Sequence, residues 1–112
     1  MKESVYQRKV LALLRKRGAY AEVISASAFQ AAGIPDVLAC YKGIWLGLEL
    51  KVKYNKPSPL QVTKIEMIRE AGGVGAILWD NLEPLEYILD SIDLGDVENV
   101  RTRYTVRGDS YA

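Results

Sequence analysis

A two-residue alternation from Ile44 to Lys53 constrains this chain more than any other feature. Ile44, Leu46, Leu48, Leu50 and Val52 interleave with Trp45, Gly47, Glu49, Lys51 and Lys53. A helix would scatter these side chains around its circumference. A strand sends the aliphatic set to one face and Glu49, Lys51 and Lys53 to the other. Val37-Leu38-Ala39-Cys40-Tyr41 supplies a preceding strand and Lys42-Gly43 a tight turn, so the segment reads as a β-hairpin. Pairing the two strands sets Asp36, near the end of one, beside Glu49, well along the other, with the Lys51 ammonium close by. Two carboxylates that approach so closely repel, an arrangement that usually needs a cation, and hard oxygen ligands suit Mg²⁺ or Mn²⁺.

The flanking segments frame this hairpin. Residues 2–16 read as a helix with an apolar stripe of Tyr6, Val10, Leu13 and Leu14, stopped by Gly18. Glu3 falls on that stripe, either as an acid favouring the positive helix end or as a carboxylate turned inward. Residues 20–27 alternate enough for a strand at or near the sheet edge, and residues 28–33 read as a loop. Pro35 biases Ile34 towards an extended conformation and stiffens the entry to Asp36. Ser58-Pro59-Leu60-Gln61 spells a capping box with proline at the first helical position. Gln61 therefore has two readings, a cap of its own helix or an amide facing the Asp36–Glu49 cleft. Val62, Ile65 and Ile68 face the sheet, and Gly72-Gly73 closes the helix. Val74-Gly75-Ala76-Ile77-Leu78-Trp79 has the continuous apolar character of a buried strand. Asp80-Asn81 reads as a turn, residues 82–94 as an acidic amphipathic helix, and residues 102–107 as a last strand or arm.

Helix, strand, hairpin, helix, strand and helix in that order predict an α/β fold with a mixed sheet flanked by helices. At 112 residues the chain is expected to form one domain. Its core is expected over residues 2–80, with an acidic helix and tail over residues 81–112.

Composition removes several chemistries. There is no histidine and only one cysteine, Cys40. Ser-His-Asp and Cys-His systems, histidine general bases and His or thiolate zinc sites are therefore excluded. No Gly-rich phosphate loop is present. No apolar run approaches a membrane span and the start resembles no signal peptide, so an intracellular, cytoplasmic setting is expected. Residues 1–56 hold ten Lys/Arg against four Asp/Glu, whereas residues 57–112 hold five against ten. The amino-terminal half thus favours a polyanion, although a solvated helix face with hairpin lysines would give the same balance.

Asp36 after Gly33-Ile34-Pro35, Glu49-Leu50-Lys51 on the next strand and Gln61 opening a helix resemble the PD-(D/E)XK nuclease superfamily. The Gly-Ile-Pro-Asp form and Ser58-Pro59-Leu60-Gln61 are similar to its VRR-NUC branch, the virus-type replication-repair nucleases. The resemblance covers about residues 3–78. It implies a restriction-endonuclease-like αβββαβ core and a Mg²⁺- or Mn²⁺-dependent DNA endonuclease. Asp36 and Glu49 would be metal ligands, with the Leu50 carbonyl and Glu3 as further ones. Lys51 would act on the attacking water, and Gln61 would position Lys51 or a phosphate. Lys9, Lys42, Lys53 and Lys56 are candidate DNA contacts, and Trp45, Tyr41 and Tyr54 are candidates for either substrate contact or packing. Small stand-alone relatives from phage and bacteria look like endonucleases for branched DNA, such as four-way junctions, and commonly work as homodimers. The alternative is a non-catalytic nucleic-acid-binding or assembly module with the same fold; such a relative would typically have lost Asp36, Glu49 or Lys51.

Overall fold

The hairpin forms as its alternation requires up to Lys51, whereas Lys53, expected on the same strand face, lies past the strand end with positive φ. In the computed structural model, which describes residues 1–24 and 32–103, strand β2 (Val37–Tyr41) pairs antiparallel with β3 (Ile44–Lys51). Val37 lies opposite Leu48 and Tyr41 opposite Ile44. Lys42 and Gly43 take φ of 49° and 81°, the positive sign that a two-residue hairpin turn matched to strand twist requires. Strand β1 (Tyr20–Val23) adds antiparallel outside β2, and β4 (Val74–Trp79) adds parallel beside β3. The order β1-β2-β3-β4 makes the sheet mixed, as expected.

Helices cover both faces. Helix α1 (Glu3–Lys16) brings Tyr6, Val10 and Leu14 onto the face carrying Leu46, Leu48 and Leu50. Helix α3 (Glu83–Asp93) adds Leu85, Ile88 and Leu89 to the same core, and α4 (Val97–Arg103) adds Val100. Each fully buried leucine here contributes roughly 1.5–3 kcal/mol. Helix α2 (Pro59–Glu70) covers the opposite face, setting Ile65 on Ile77 with Val62, Ile68 and Trp79 around them.

Helix α2 sits close because the strands beneath it carry glycine. A Cβ on Gly75 would lie 2.7 Å from the Ile65 carbonyl oxygen, and one on Gly47 would lie 2.5 Å from Ile68 Cδ1. The methyl on Gly75 would meet helix backbone and push α2 off the sheet, whereas the one on Gly47 would force the Ile68 side chain aside.

Two expectations need correction, and a third falls partly outside the described residues. The core does not end near residue 80, because α3 and α4 pack into the main cluster through their apolar stripes. Thr102 and Arg103 belong to α4 and not to a strand. Val97 and Val100, one helical turn apart, set that period and bury Val100. The rest of that expected strand, residues 104–107, lies outside the described residues. Strand β1 ends at Val23; its expected continuation into residues 25–27, and most of the following loop, also lie outside them.

Candidate active site

The strand register builds the site. One step beyond the Val37–Leu48 pair, Asp36 faces Glu49. The Asp36 carboxylate accepts a hydrogen bond from the Leu50 backbone N–H at 2.9 Å, which ties it to β3. Its own carbonyl accepts from the Ile24 N–H at 2.7 Å, so the end of β1 also borders the site.

Glu49 is the unusual group. It is a carboxylate with 1% exposure inside a sheet whose other buried residues are almost all apolar. Its Oε2 accepts from the Gln61 amide at 2.8 Å and lies 3.3 Å from the Lys51 ammonium. Its Oε1 is buried with no hydrogen-bond partner. Burial, and next the charge of Asp36, push Glu49 from its ordinary 4.5 up to about 7, against the opposing pull of Lys51. Such a group is stable as a carboxylate only if something positive faces its bare oxygen.

Gln61 satisfies both readings at once. Its Oε1 accepts from the Ser58 N–H at 2.8 Å and its own N–H donates to Ser58 Oγ at 3.1 Å, completing the capping box. The remaining amide nitrogen donates to Glu49. One side chain thus fixes the start of α2 and anchors that start to β3. Lys51, two residues beyond Glu49 on the same strand face, is largely buried with 16% of its side chain exposed.

The other candidate positions lie apart from this cluster. Glu3 is exposed in the first turn of α1. Among the described residues no group of three or more His, Cys, Asp or Glu is gathered for a metal, so Glu3 is not brought to the Asp36–Glu49 pair. The donor chemistry of that pair nevertheless fits a hard divalent cation: two oxygen ligands, one of them with a buried, unsatisfied atom. Leu50 meets the site through its N–H. Lys53 and Lys56 are exposed on the connection that follows Lys51, and Lys9 is exposed on α1. Lys42 stands at the far end of the hairpin with its ammonium on Asp93.

Asp80 has a larger part than a turn residue. Its N–H donates to the Lys51 carbonyl at 3.2 Å, and its carboxylate accepts from the Lys53 N–H. It therefore clamps the chain on both sides of Val52 where β3 ends. Asp80 and Lys53 both take positive φ, 44° and 55°, a conformation that costs a non-glycine residue something and persists where neighbours impose it. In the parallel register Lys51 lies opposite Trp79, which places Asp80 one residue past it.

A second charged cluster occupies the turn end of the hairpin. Arg17 donates to Asp90 at 2.8 Å and to Asp93 at 3.0 Å, and the Tyr41 hydroxyl donates to Asp93 at 2.7 Å. Lys42 also donates to Asp93. Lys42 first, then Tyr41 and Arg17, hold Asp93 down at about 2.

No family model matches the chain, and no curated protein matches it. Solved structures do. A VRR_NUC domain aligns over 79% of this chain and 94% of its own length, at 20% identity and a TM-score of 0.64. Hjc of Archaeoglobus fulgidus, a Holliday junction resolvase from an archaeal hyperthermophile, aligns over 68% of this chain at 20% identity and a TM-score of 0.55. This chain spans 66% of that resolvase, slightly under two thirds of its length. These similarities establish the fold: the chain has the α/β nuclease fold of both proteins, as the sequence resemblance implies.

Proposed function

We propose that the protein is a Mg²⁺- or Mn²⁺-dependent DNA endonuclease of the VRR-NUC type, selective for branched DNA such as four-way junctions and active as a homodimer. One observation carries the reading. Glu49 is buried with an unpartnered oxygen beside Asp36, while Lys51 and Gln61 occupy its other oxygen. A glutamate present only for packing would be replaced by an apolar residue at lower cost. A site that must receive a cation keeps an oxygen free.

Asp36 and Glu49 would hold the ion, with the Leu50 carbonyl as a further ligand. When bound, it supplies charge neutralisation at the phosphate and a lowered pKa for water. Lys51 orients the water that attacks phosphorus and offsets negative charge on the phosphoryl oxygens as the bond to the leaving oxygen breaks. Gln61 holds Glu49 in place from the helix side. Lys53 and Lys56 contact the DNA backbone beside the site, and Lys9 extends the basic surface. Lys42 joins them only by exchanging Asp93 for a phosphate.

The homodimer has support from the sheet face that α2 leaves bare. Leu38 and Trp45 there, with Ile34, Pro35, Met67 and Ile68, line an apolar groove of about 570 Å³. Two copies related by a two-fold axis would bury such faces and present two sites to the equivalent strands of a junction. Labelled linear, flap and four-way DNA incubated with Mg²⁺, Mn²⁺ or chelator test the activity. Paired, metal-dependent nicks in the junction are expected, with light scattering at twice the 12.5 kDa chain mass. No cleavage with either metal would defeat the nuclease reading. A monomer cutting linear and branched DNA equally would defeat the dimer and the selectivity.

A further inference from the structure

Beyond the cleft, the connection between β3 and α2 carries a feature that folding does not use. Lys51-Val52-Lys53-Tyr54-Asn55-Lys56-Pro57 contains three lysines and no acid. At its centre Tyr54 is 95% exposed, more than any other large hydrophobic side chain among the described residues. A single exposed tyrosine ordinarily needs no explanation. Three facts set this one apart.

First, the connection is anchored at the site on both sides. Lys51 at its start and Gln61 just past its end both contact Glu49. Tyr54 is three residues from Lys51, so it lies within about 10 Å of that residue along the chain. Secondly, the connection is held rigidly. The Asp80 carboxylate accepts from the Lys53 N–H, the Asn55 N–H donates to the Val52 carbonyl at 3.2 Å, and the Trp79 indole N–H donates to the Asn55 carbonyl at 2.8 Å. The backbone on either side of Tyr54 is pinned, to Trp79 at the end of β4 and to Asp80 just beyond it, while the ring itself stands in solvent. Thirdly, Lys53 and Lys56 flank it, both exposed. An aromatic platform between two phosphate-binding cations is the arrangement by which proteins hold single-stranded nucleic acid: the ring stacks on a base face and the ammonium groups track the backbone. The bases of an intact duplex are already stacked on one another, so the platform has value only where a base is unpaired.

We infer that Tyr54 stacks on an unpaired nucleobase next to the cleft, so that the β3–α2 connection recognises single-stranded character at a flap or fork. Asp80 and Trp79 act through it as positioning residues. The inference rests on the cleft placed above as the site that receives the scissile phosphate. It supplies a reason for preferring flaps and forks over blunt duplex that needs no base-specific hydrogen bond.

Binding tests it without requiring cleavage. The full chain is measured in chelator, at one fixed salt concentration, against three labelled probes. These are a blunt duplex, the same duplex with an unpaired thymine flap, and that flap rebuilt with abasic sites. Tyr54→Ala should weaken binding to the thymine flap by about 5-fold or more, the low end for loss of one base–aromatic stack. It should change blunt-duplex binding by less than about twofold, because phosphate contacts dominate there. Tyr54→Phe should bind like the wild type, and the abasic flap should reproduce the Tyr54→Ala loss in the wild-type protein. Equal thermal melts of the three proteins keep folding out of the comparison. The inference is overturned if Tyr54→Ala binds the thymine flap as tightly as wild type, if flap and duplex weaken in parallel, or if the wild-type chain binds none of the probes. A protein that shows the expected pattern yet cuts nothing with Mg²⁺ or Mn²⁺ would separate this inference from the nuclease reading.

Discussion

The two ends of the β2–β3 hairpin carry charge in opposite ways. At the turn end, Asp93 receives Tyr41, Lys42 and Arg17, and Arg17 also takes Asp90. Donors hold that carboxylate low, and the cluster is complete as it stands. At the open end, Glu49 is buried beside a second carboxylate, is pushed up to about 7 and keeps one oxygen without a donor. Protein chemistry saturates the first cluster and leaves the second to be completed by a cation or a proton. Charge alone does not mark a site; unsatisfied charge in a protected place does. The same contrast revises the view of a basic half and an acidic half. Arg17 and Lys42 cross from the one to Asp90 and Asp93 of the other, so part of the asymmetry is cancelled inside the fold.

The largest test of the contrast removes one carboxylate from each end. Asp36→Asn or Glu49→Gln should lower metal-dependent cleavage by on the order of 10³-fold or more, because the amide keeps the shape and loses the charge that holds the ion. Asp93→Asn should leave cleavage within about twofold, since loss of an exposed pair is a small surface effect, while lowering the melting temperature. Equal losses at both ends would mean that the open end is structural too.

A smaller effect separates chemistry from affinity at the open end. Lys51→Ala should reduce turnover by about 10²-fold, the lower range for a positioned proton-transfer or water-orienting group. DNA affinity should fall by less than about threefold, because one lysine contributes little to counterion release. An affinity that collapsed in step with turnover would make Lys51 a phosphate anchor.

The smallest effects are in stability and have opposite pH signs at the two ends. In metal-free protein the folded pKa of Glu49 is raised, from 4.5 to about 7. The native state then holds a proton that the unfolded chain releases, so this contribution is present below about 4.5 and is lost as pH rises through about 7. Denaturant unfolding in chelator should show a decline of about 1–3 kcal/mol across that window, absent in Glu49→Gln. Asp93 is depressed from 3.8 to about 2. Its contribution is present above about 3.8 and is lost as pH falls through about 2, and Asp93→Asn should remove that acid-side loss. A Glu49→Gln protein with an unchanged profile between pH 4.5 and 7 would show that Glu49 is not the buried titrating group.

Much of this was legible in the chain because it depends on local rules. Period-two alternation determined β3, and Lys42-Gly43 determined its turn. Ser58-Pro59-Leu60-Gln61 determined where α2 starts, and the order of elements determined a mixed sheet between helices. Asp36, Glu49 and Lys51 could be gathered on paper because strand register is short-range geometry, whereas spacing alone left Gln61 as a cap or a cleft amide and only the family resemblance favoured the cleft. Burial is not short-range, and it decided the rest. Alternation says which face Glu49 occupies, but only α2 lying over Gly47 and Gly75 closes that face and turns an ordinary glutamate into a desolvated one. Glu3 shares a helical stripe with core residues, yet its place in the first turn leaves it in solvent, because a stripe is a direction and burial also needs a neighbour. The alternating residues 102 and 103 became helix because Val97 and Val100 found the main core. Asp80 gained its grip on Lys51 and Lys53 only because the parallel pairing of β3 with β4 set two distant ends of the chain side by side. Backbone periodicity is carried by neighbouring residues, whereas desolvation and long-range hydrogen bonds exist only once the layers are stacked.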